Sequence, residues 1–152
     1  MSATLLSGIA RTTEPQTMLR RFLALDALIT GANGLAYVAA SGPLGRLLGV
    51  DDTLLLGLGV FLALFGAGVG FLATRRQPPR LPVNVVVEAN LLWAAVSIAA
   101  LALWLDPTTA GTVWIPVQAL TVAGFAVLQW SALRVATIDV GRSPLPQARQ
   151  MG

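Results

Sequence analysis

The chain has 152 residues, of which 55% are hydrophobic and only 11% are charged, and its formal net charge is +3. A soluble domain carries about 25% charged residues, so this composition predicts an integral membrane protein whose main partner is the lipid bilayer. Cys, His and Lys are all absent, which excludes disulfides, Cys- or His-ligated metals and haem, and Schiff-base cofactors. We therefore expect no metal and no cofactor. The arginines form no dense basic run, so nucleic acid is not an expected partner.

Four apolar runs predict four transmembrane helices. A cytoplasmic tail of residues 1–18 precedes them. The predicted spans cover residues 20–40, 54–74, 83–105 and 113–134, and each is long enough to cross about 30 Å of hydrocarbon. Because the connections are short, consecutive spans should be antiparallel, which predicts an all-α, up-down-up-down four-helix bundle in residues 19–136. Residues 137–152 are predicted to form a flexible C-terminal tail.

The first apolar run has an alternative interpretation as a secretory signal peptide. It follows a pair of arginines and ends in a small-residue motif at residues 38–40 that resembles a cleavage site. However, Asp26 and Asn33 interrupt the run, and its length suffices for a span. We therefore interpret it as the first transmembrane helix.

The distribution of arginines predicts the orientation of the bundle. Nine of the ten arginines lie in the N-terminal flank, in the connection between the second and third spans, or in the C-terminal flank, and only Arg46 lies elsewhere. Arginine-rich flanks stay in the cytoplasm during membrane insertion. We therefore expect a multi-pass protein of the cell membrane with both termini in the cytoplasm.

Polar side chains recur at helical spacing inside three of the predicted spans. The first span carries Asp26, Thr30, Asn33 and Tyr37 on one face, the third carries Asn84 and Glu88, and the fourth carries Trp114, Gln118 and Gln129. Polar groups in hydrocarbon need partners, so these faces should meet around a polar cavity or hydrogen-bond network. We expect this site to open toward the cytoplasmic leaflet. The second span has no polar side chain from Leu54 to Ala73, and we expect it to form the apolar wall of the site.

Two carboxylates stand out in this set. Asp26 and Glu88 each follow an arginine-rich flank by about the same number of residues, so we expect them at equal depth and in direct interaction. Two carboxylates close together in a low dielectric do not both ionise readily, so one would hold a proton or an arginine would neutralise the pair. The sequence favours a functional role for Glu88 and leaves Asp26 balanced between function and structure.

Three functions remain open. The first is binding of a lipid-like, hydrophobic or cationic small molecule, with proton-coupled transport as an extension, in which Glu88 and Asp26 form the binding pair. The second is an intramembrane acid–base enzyme, an isomerase or cyclase, in which Glu88 donates a proton to a hydrophobic substrate and Asp26 assists as the second catalytic residue. The third is an accessory subunit of a larger membrane complex, whose polar residues only hold helices together.

Small residues recur along the second span, at Gly59, Ala63, Gly66 and Gly70. Such spacing lets two helix backbones approach closely. We expect these residues to pack within the bundle, and a homodimer through this face is the alternative.

Overall fold

The computed structural model describes the backbone of residues 2–142 and the side chains of residues 14–142 other than Val140. These residues form five α-helices: α1 (Ser2–Ala39), α2 (Ser41–Leu48), α3 (Asp52–Thr74), α4 (Arg80–Leu103) and α5 (Thr109–Arg142). All but the short α2 are long and apolar enough to cross a membrane. The predicted all-α four-helix transmembrane bundle is confirmed.

The four long helices do not contact one another equally. Helix α1 packs along α3 and α5, and α4 packs along α5, whereas α3 and α4 barely touch. Helices α1 and α4 are therefore diagonal across the bundle, and a cleft separates α3 from α4.

Glycines allow α1 and α3 to form the closest helix pair. A Cβ atom on Gly66 would lie 2.8 Å from the backbone nitrogen of Gly31, and one on Gly59 would lie 2.9 Å from the carbonyl oxygen of Gly34. A larger side chain would have to push the two backbones apart. The small-residue face of α3, which comprises Gly59, Ala63, Gly66 and Gly70, thus packs against α1 in this structure, in line with the expected packing within the bundle.

The middle of α1, the beginning of α4, the end of α3 and the last third of α5 meet at one end of the bundle. Their buried side chains form a single apolar cluster of Leu19, Leu23, Val69, Val83, Val86, Ala132 and Leu133. The Arg20 Nε donates a hydrogen bond of 3.0 Å to the Ala73 carbonyl oxygen, which has no partner within the last turn of α3. The Arg134 guanidinium lies 3.9 Å from the centre of the Trp130 ring. We call this the arginine-rich end.

Helix α2 and two connections form the opposite end, which we call the α2 end. Gly49 has a φ of 70° and ends α2 in the left-handed conformation that glycine adopts without strain. The Asp51 side chain then accepts a hydrogen bond of 2.9 Å from Leu54 N and caps α3. The connection from α4 to α5 is held against α2 because Thr108 N donates to the Leu48 carbonyl oxygen at 3.1 Å.

Two helices extend beyond the predicted spans. Helix α1 begins at Ser2 and so includes residues assigned to the N-terminal tail, and α5 runs from Thr109 to Arg142, beyond both predicted ends of the fourth span. An α-helix satisfies its backbone hydrogen bonds internally in lipid and in water alike, so it need not stop at the membrane boundary. Residues 143–152 of the predicted C-terminal tail lie outside the described residues.

Candidate functional site

Asp26 lies at the centre of a hydrogen-bond network that joins three spans. Its side chain is 0% exposed. Its Oδ1 accepts a hydrogen bond of 2.9 Å from Thr30 Oγ1. Its Oδ2 accepts hydrogen bonds from Asn90 Nδ2 and from Gln129 Nε2, each at 2.7 Å. Because the donors lie on α1, α4 and α5, a single carboxylate ties these three helices together.

The position of each donor follows from the helix that carries it. Thr30 is one turn after Asp26 on α1. Asn90 continues the buried face of α4, which also contains Val83, Val86 and Val87. Gln129 is 0% exposed on α5. The hydrogen bond between Asp26 and Asn90 crosses the middle of the bundle, because α1 and α4 are diagonal.

The amide of Gln129 has one polar atom without a partner. Its Oε1 is buried and forms no hydrogen bond with the described residues. With the amide in this orientation, its nitrogen donates to Asp26 Oδ2. Because an amide carries both donors and an acceptor, turning it over would instead present Oε1 to a donor at that position.

Glu88 does not belong to this network. Its side chain is exposed, and so is Asn84 one turn earlier. Glu88 precedes Asn90 by two residues, which is about 200° around the helix. Since Asn90 points to Asp26, Glu88 points out of the bundle. The expected contact between Asp26 and Glu88 is therefore wrong, as is the expected place of Glu88 and Asn84 in the central site. Helical spacing correctly put the two on one face, but that face is the outer one.

A second polar cluster lies near the α2 end. The Tyr37 hydroxyl accepts hydrogen bonds from Trp114 Nε1 at 2.7 Å and from Gln118 Nε2 at 2.9 Å, which ties α1 to α5. All three residues are predicted site candidates, and the structure brings them together. Tyr37 follows Asp26 by eleven residues, about 16 Å along α1, so the cluster is separate from the Asp26 network.

A small cavity of about 140 Å³ lies between the two clusters. Its polar lining consists of Thr30, Asn33, Gln118 and Thr121, and Trp93 and Trp114 also border it. Asn33 is half-buried and contributes to this wall. The polar face of α1 that the spacing predicts thus runs inside the bundle from Asp26 to Tyr37.

The cleft between α3 and α4 holds three adjoining cavities. From the arginine-rich end to the α2 end, they measure about 490, 320 and 170 Å³. The middle cavity is lined by Leu58, Phe61, Leu62 and Phe65 of α3, by Ala89, Asn90, Leu92, Trp93 and Val96 of α4, and by Val122 of α5. Phe61 and Trp93 stack across the cleft with ring centres 5.7 Å apart.

Neither this cleft nor the role of Asn90 is predicted from the sequence. An apolar helix face has the same composition whether a neighbouring helix or lipid covers it, so no sequence signal marks the cleft. The sequence does contain a signal that Asn90 is buried, because Asn90 lies seven residues after Val83 and four after Val86, on the same face of the helix. From the sequence alone, either this face or the face of Asn84 and Glu88 could point into the bundle.

The geometry limits what the network can do chemically. Asp26 is covered by its three donors and has no exposed surface, so in this conformation a substrate does not reach it. Asn90 both donates to Asp26 and borders the middle cavity of the cleft. A molecule in the cleft would therefore contact the network through Asn90. Among the residues whose side chains are described, no group of three or more Asp or Glu residues is arranged to hold a metal ion.

Comparison of the chain with protein-family models, with curated proteins and with solved structures finds no match.

Proposed function

We propose that this multi-pass membrane protein resides in the cell membrane and binds a lipid-like molecule with a long apolar chain in the cleft between α3 and α4. The observation that supports this most strongly is the cleft itself, whose cavities adjoin along the bundle and are lined almost entirely by apolar side chains. Its middle cavity, at about 320 Å³, is within the usual size of ligand pockets. The surrounding bilayer is the source of such a molecule.

The lining of the cleft changes along its length in a way that suits an amphipathic ligand. At the α2 end, Tyr37, Ser97 and Gln118 add polar groups, and three tryptophans (Trp93, Trp104 and Trp114) surround them. At the arginine-rich end the wall is apolar and includes Phe65 and Leu72. Tyr and Trp are suited to the boundary between apolar and polar groups. The polar group of the ligand would therefore lie near Gln118 and its chain would extend toward Phe65.

In this proposal the Asp26 network holds the walls of the cleft. The bond from Asn90 to Asp26 fixes α4 to α1 across the bundle, and glycine packing fixes α3 to α1. Both walls are thus positioned relative to α1 while remaining apart from each other.

The hypotheses of proton-coupled transport and of acid–base catalysis both use Asp26 and Glu88 as a pair. The two carboxylates do not share a site, so we propose neither activity.

The binding proposal is tested by photolabelling the purified chain in phosphatidylcholine vesicles. The probes are phospholipids with a photoactivatable stearoyl chain and a photoactivatable farnesol. We expect adducts on cleft residues such as Phe61 and Val96. An Ala89→Trp substitution, which fills the middle cavity, should reduce this labelling several-fold. Ala24→Trp, on the exposed surface of α1, is the matched control and should leave it unchanged.

Circular dichroism would first establish that both tryptophan variants keep the helical fold. Adducts spread evenly over the exposed surfaces of all four spans would contradict the proposal, because they would reflect general contact with lipid. Equal labelling of the Ala89→Trp and Ala24→Trp variants would contradict it as well.

The proposed orientation, with both termini in the cytoplasm, rests on the arginine asymmetry. Reporter fusions test it. A C-terminal reporter should be active in the cytoplasm, and one inserted between Asp51 and Asp52 should be active on the other side of the membrane. A C-terminal reporter that is active only outside would contradict this orientation.

A further inference from the structure

We propose that the outer face of α4 binds a transmembrane helix of another protein, and that this helix places a Lys, Arg or His side chain opposite Glu88. This inference goes beyond ligand binding in the cleft. It concerns the face of α4 that points out of the bundle, and it would make the chain a subunit of a larger membrane complex.

The first observation is the position of Glu88. It is exposed, and none of the described side chains forms a hydrogen bond or ion pair with it. It lies eight residues from the first residue of α4, or about 12 Å along the helix axis, well inside the span. The stems of Lys and Arg are long enough to carry the charge to the interface, but the side chain of Glu is short. A carboxylate in contact with lipid at this depth is costly, so a partner is expected to cover it.

The second observation is the composition of the ridge around Glu88. At about 100° per residue, six exposed residues fall within about 60° of one another along α4, namely Leu81 near its start and then Asn84, Glu88, Ala95, Ala99 and Ala102. The outward faces of the other spans mix small residues with large apolar side chains such as Leu28, Leu64 and Leu120, whereas this ridge has no large apolar side chain between Asn84 and Ala102. Ala95 and Ala99 form a small-xxx-small pair, which lets another helix backbone approach closely. The most outward ridge of α4 is thus suited to a helix rather than to lipid.

The third observation is that, among the four spans, α4 has the smallest share of residues buried within the bundle. In the most apolar window of α4, 17% of the residues are buried, compared with 28% in each of the other three spans. Helix α4 therefore has the most surface left for an external partner.

The negative charge of Glu88 indicates which kind of partner would fit this face. In a symmetric dimer with both copies in the same orientation, the α4 ridges would meet and the two Glu88 carboxylates would face each other. A second copy could not supply a cation at this depth, because the chain lacks Lys and His and its described arginines lie toward the ends of the spans. Charge complementarity therefore favours a different protein, whose helix has a small-residue face and a basic side chain.

A defined peptide that stands in for the partner tests this inference. The probe is a Leu/Ala transmembrane helix with an alanine ridge and one Lys at the depth of Glu88, and the control peptide has Leu in place of Lys. The chain carries a donor fluorophore on an Asp106→Cys substitution, the peptide carries an acceptor, and energy transfer is measured in phosphatidylcholine vesicles. We expect the Lys peptide to bind about ten-fold more tightly than the Leu peptide, the size of effect seen for polar contacts between model transmembrane helices.

Three variants separate the contributions of the charge and the ridge. Glu88→Gln should remove most of the preference for Lys, and Ala95→Leu with Ala99→Leu should weaken binding of the Lys peptide. The third combines Glu88→Leu with Val127→Glu, which moves the carboxylate to an exposed position of similar depth on α5, beside the bulky Leu120 and Trp130. This variant should bind the Lys peptide several-fold more weakly than the original chain.

The proposal is overturned if the Lys and Leu peptides bind equally, or if the carboxylate moved to α5 binds as well as Glu88. It is also overturned if two differently labelled copies of the chain, without peptide, associate through α4 and lose that association in the Ala95→Leu, Ala99→Leu variant. None of these variants alters a residue that lines the cleft, so failure here and failure of ligand binding are distinguishable.

Discussion

Asp26 and Glu88 are two carboxylates at similar depth in a bundle of apolar helices, and their surroundings are opposite. Asp26 is fully buried and receives hydrogen bonds from Thr30, Asn90 and Gln129. Glu88 is exposed on the outer ridge of α4. We therefore expect Asp26 to stabilise the bundle itself. We expect Glu88 to contribute little to that stability, and we propose that it faces a helix of another protein.

The difference shows how polar groups are used on the two sides of a membrane helix. Inside the bundle, a carboxylate can accept bonds from several helices at once, and removing it leaves their donors without partners. On the outer face, lipid offers no hydrogen bonds, so a carboxylate requires a partner from outside the chain. Substitutions can test this contrast, and they are ordered below by the size of the expected effect.

The largest effect is expected from Asp26→Leu. The change leaves the amides of Asn90 and Gln129 buried without an acceptor, at about 1–3 kcal/mol each, so the free energy of unfolding should fall by about 2–6 kcal/mol. The measurement is reversible unfolding in mixed micelles, with helicity as the signal. A loss smaller than about 0.5 kcal/mol would mean that the network does not hold the helices together.

The same contrast between inside and outside can be tested without charge, at two glycines of α3. A Cβ on Gly66 would lie 2.8 Å from a backbone atom of α1, whereas a Cβ on Gly68 would meet nothing within 4 Å. Gly66→Ala should therefore destabilise the bundle by about 1–3 kcal/mol through overpacking. Gly68→Ala should be neutral or stabilise it by up to about 1 kcal/mol, because alanine favours the helix. Equal effects in the same unfolding assay would contradict the packing of α1 on α3.

A smaller effect is expected from Asp26→Asn, which keeps the shape of the side chain. The amide of Gln129 can turn over so that its Oε1 accepts a hydrogen bond from the amide introduced on α1, which preserves part of the network. The free energy of unfolding should fall by about 1 kcal/mol, less than for Asp26→Leu. An equal loss of stability in the two variants would show that the network requires a negative charge, and that a side chain of the same shape with hydrogen-bonding groups is not sufficient.

The smallest effect on stability is expected from Glu88→Leu. Glu88 has no partner among the described residues, so the unfolding free energy of the isolated chain should change by less than about 0.5 kcal/mol. A loss comparable to that of Asp26→Leu would place Glu88 inside the bundle and remove the contrast between the two carboxylates.

The sequence predicts the bundle well because hydrophobic length and short connections determine it. It also places Asp26, Thr30 and Gln129, together with Tyr37, Trp114 and Gln118, on helix faces that should meet in one polar network, which the structure divides into two clusters. The prediction of these faces uses the period of the helix, which depends only on the chain near each residue.

The inward face of α4 could not be predicted in the same way. In water, hydrophobicity distinguishes the inner from the outer face of a helix, but lipid is as apolar as the interior of a bundle. Helix α4 has an amide on each face, Asn84 outside and Asn90 inside, and only the packing of α4 against α5 decides between them. The similar positions of Asp26 and Glu88 after their arginines therefore indicated equal depth but not a shared site.

A double-mutant cycle in the unfolding assay tests the central claim most directly, namely that Asp26 is coupled to Asn90 across the bundle and not to Glu88. The cycles combine Asp26→Ala with Asn90→Ala and, separately, Asp26→Ala with Glu88→Ala. We predict a coupling energy of about 1 kcal/mol between Asp26 and Asn90, and one within about 0.3 kcal/mol of zero between Asp26 and Glu88. A substantial coupling to Glu88 together with none to Asn90 would contradict the account.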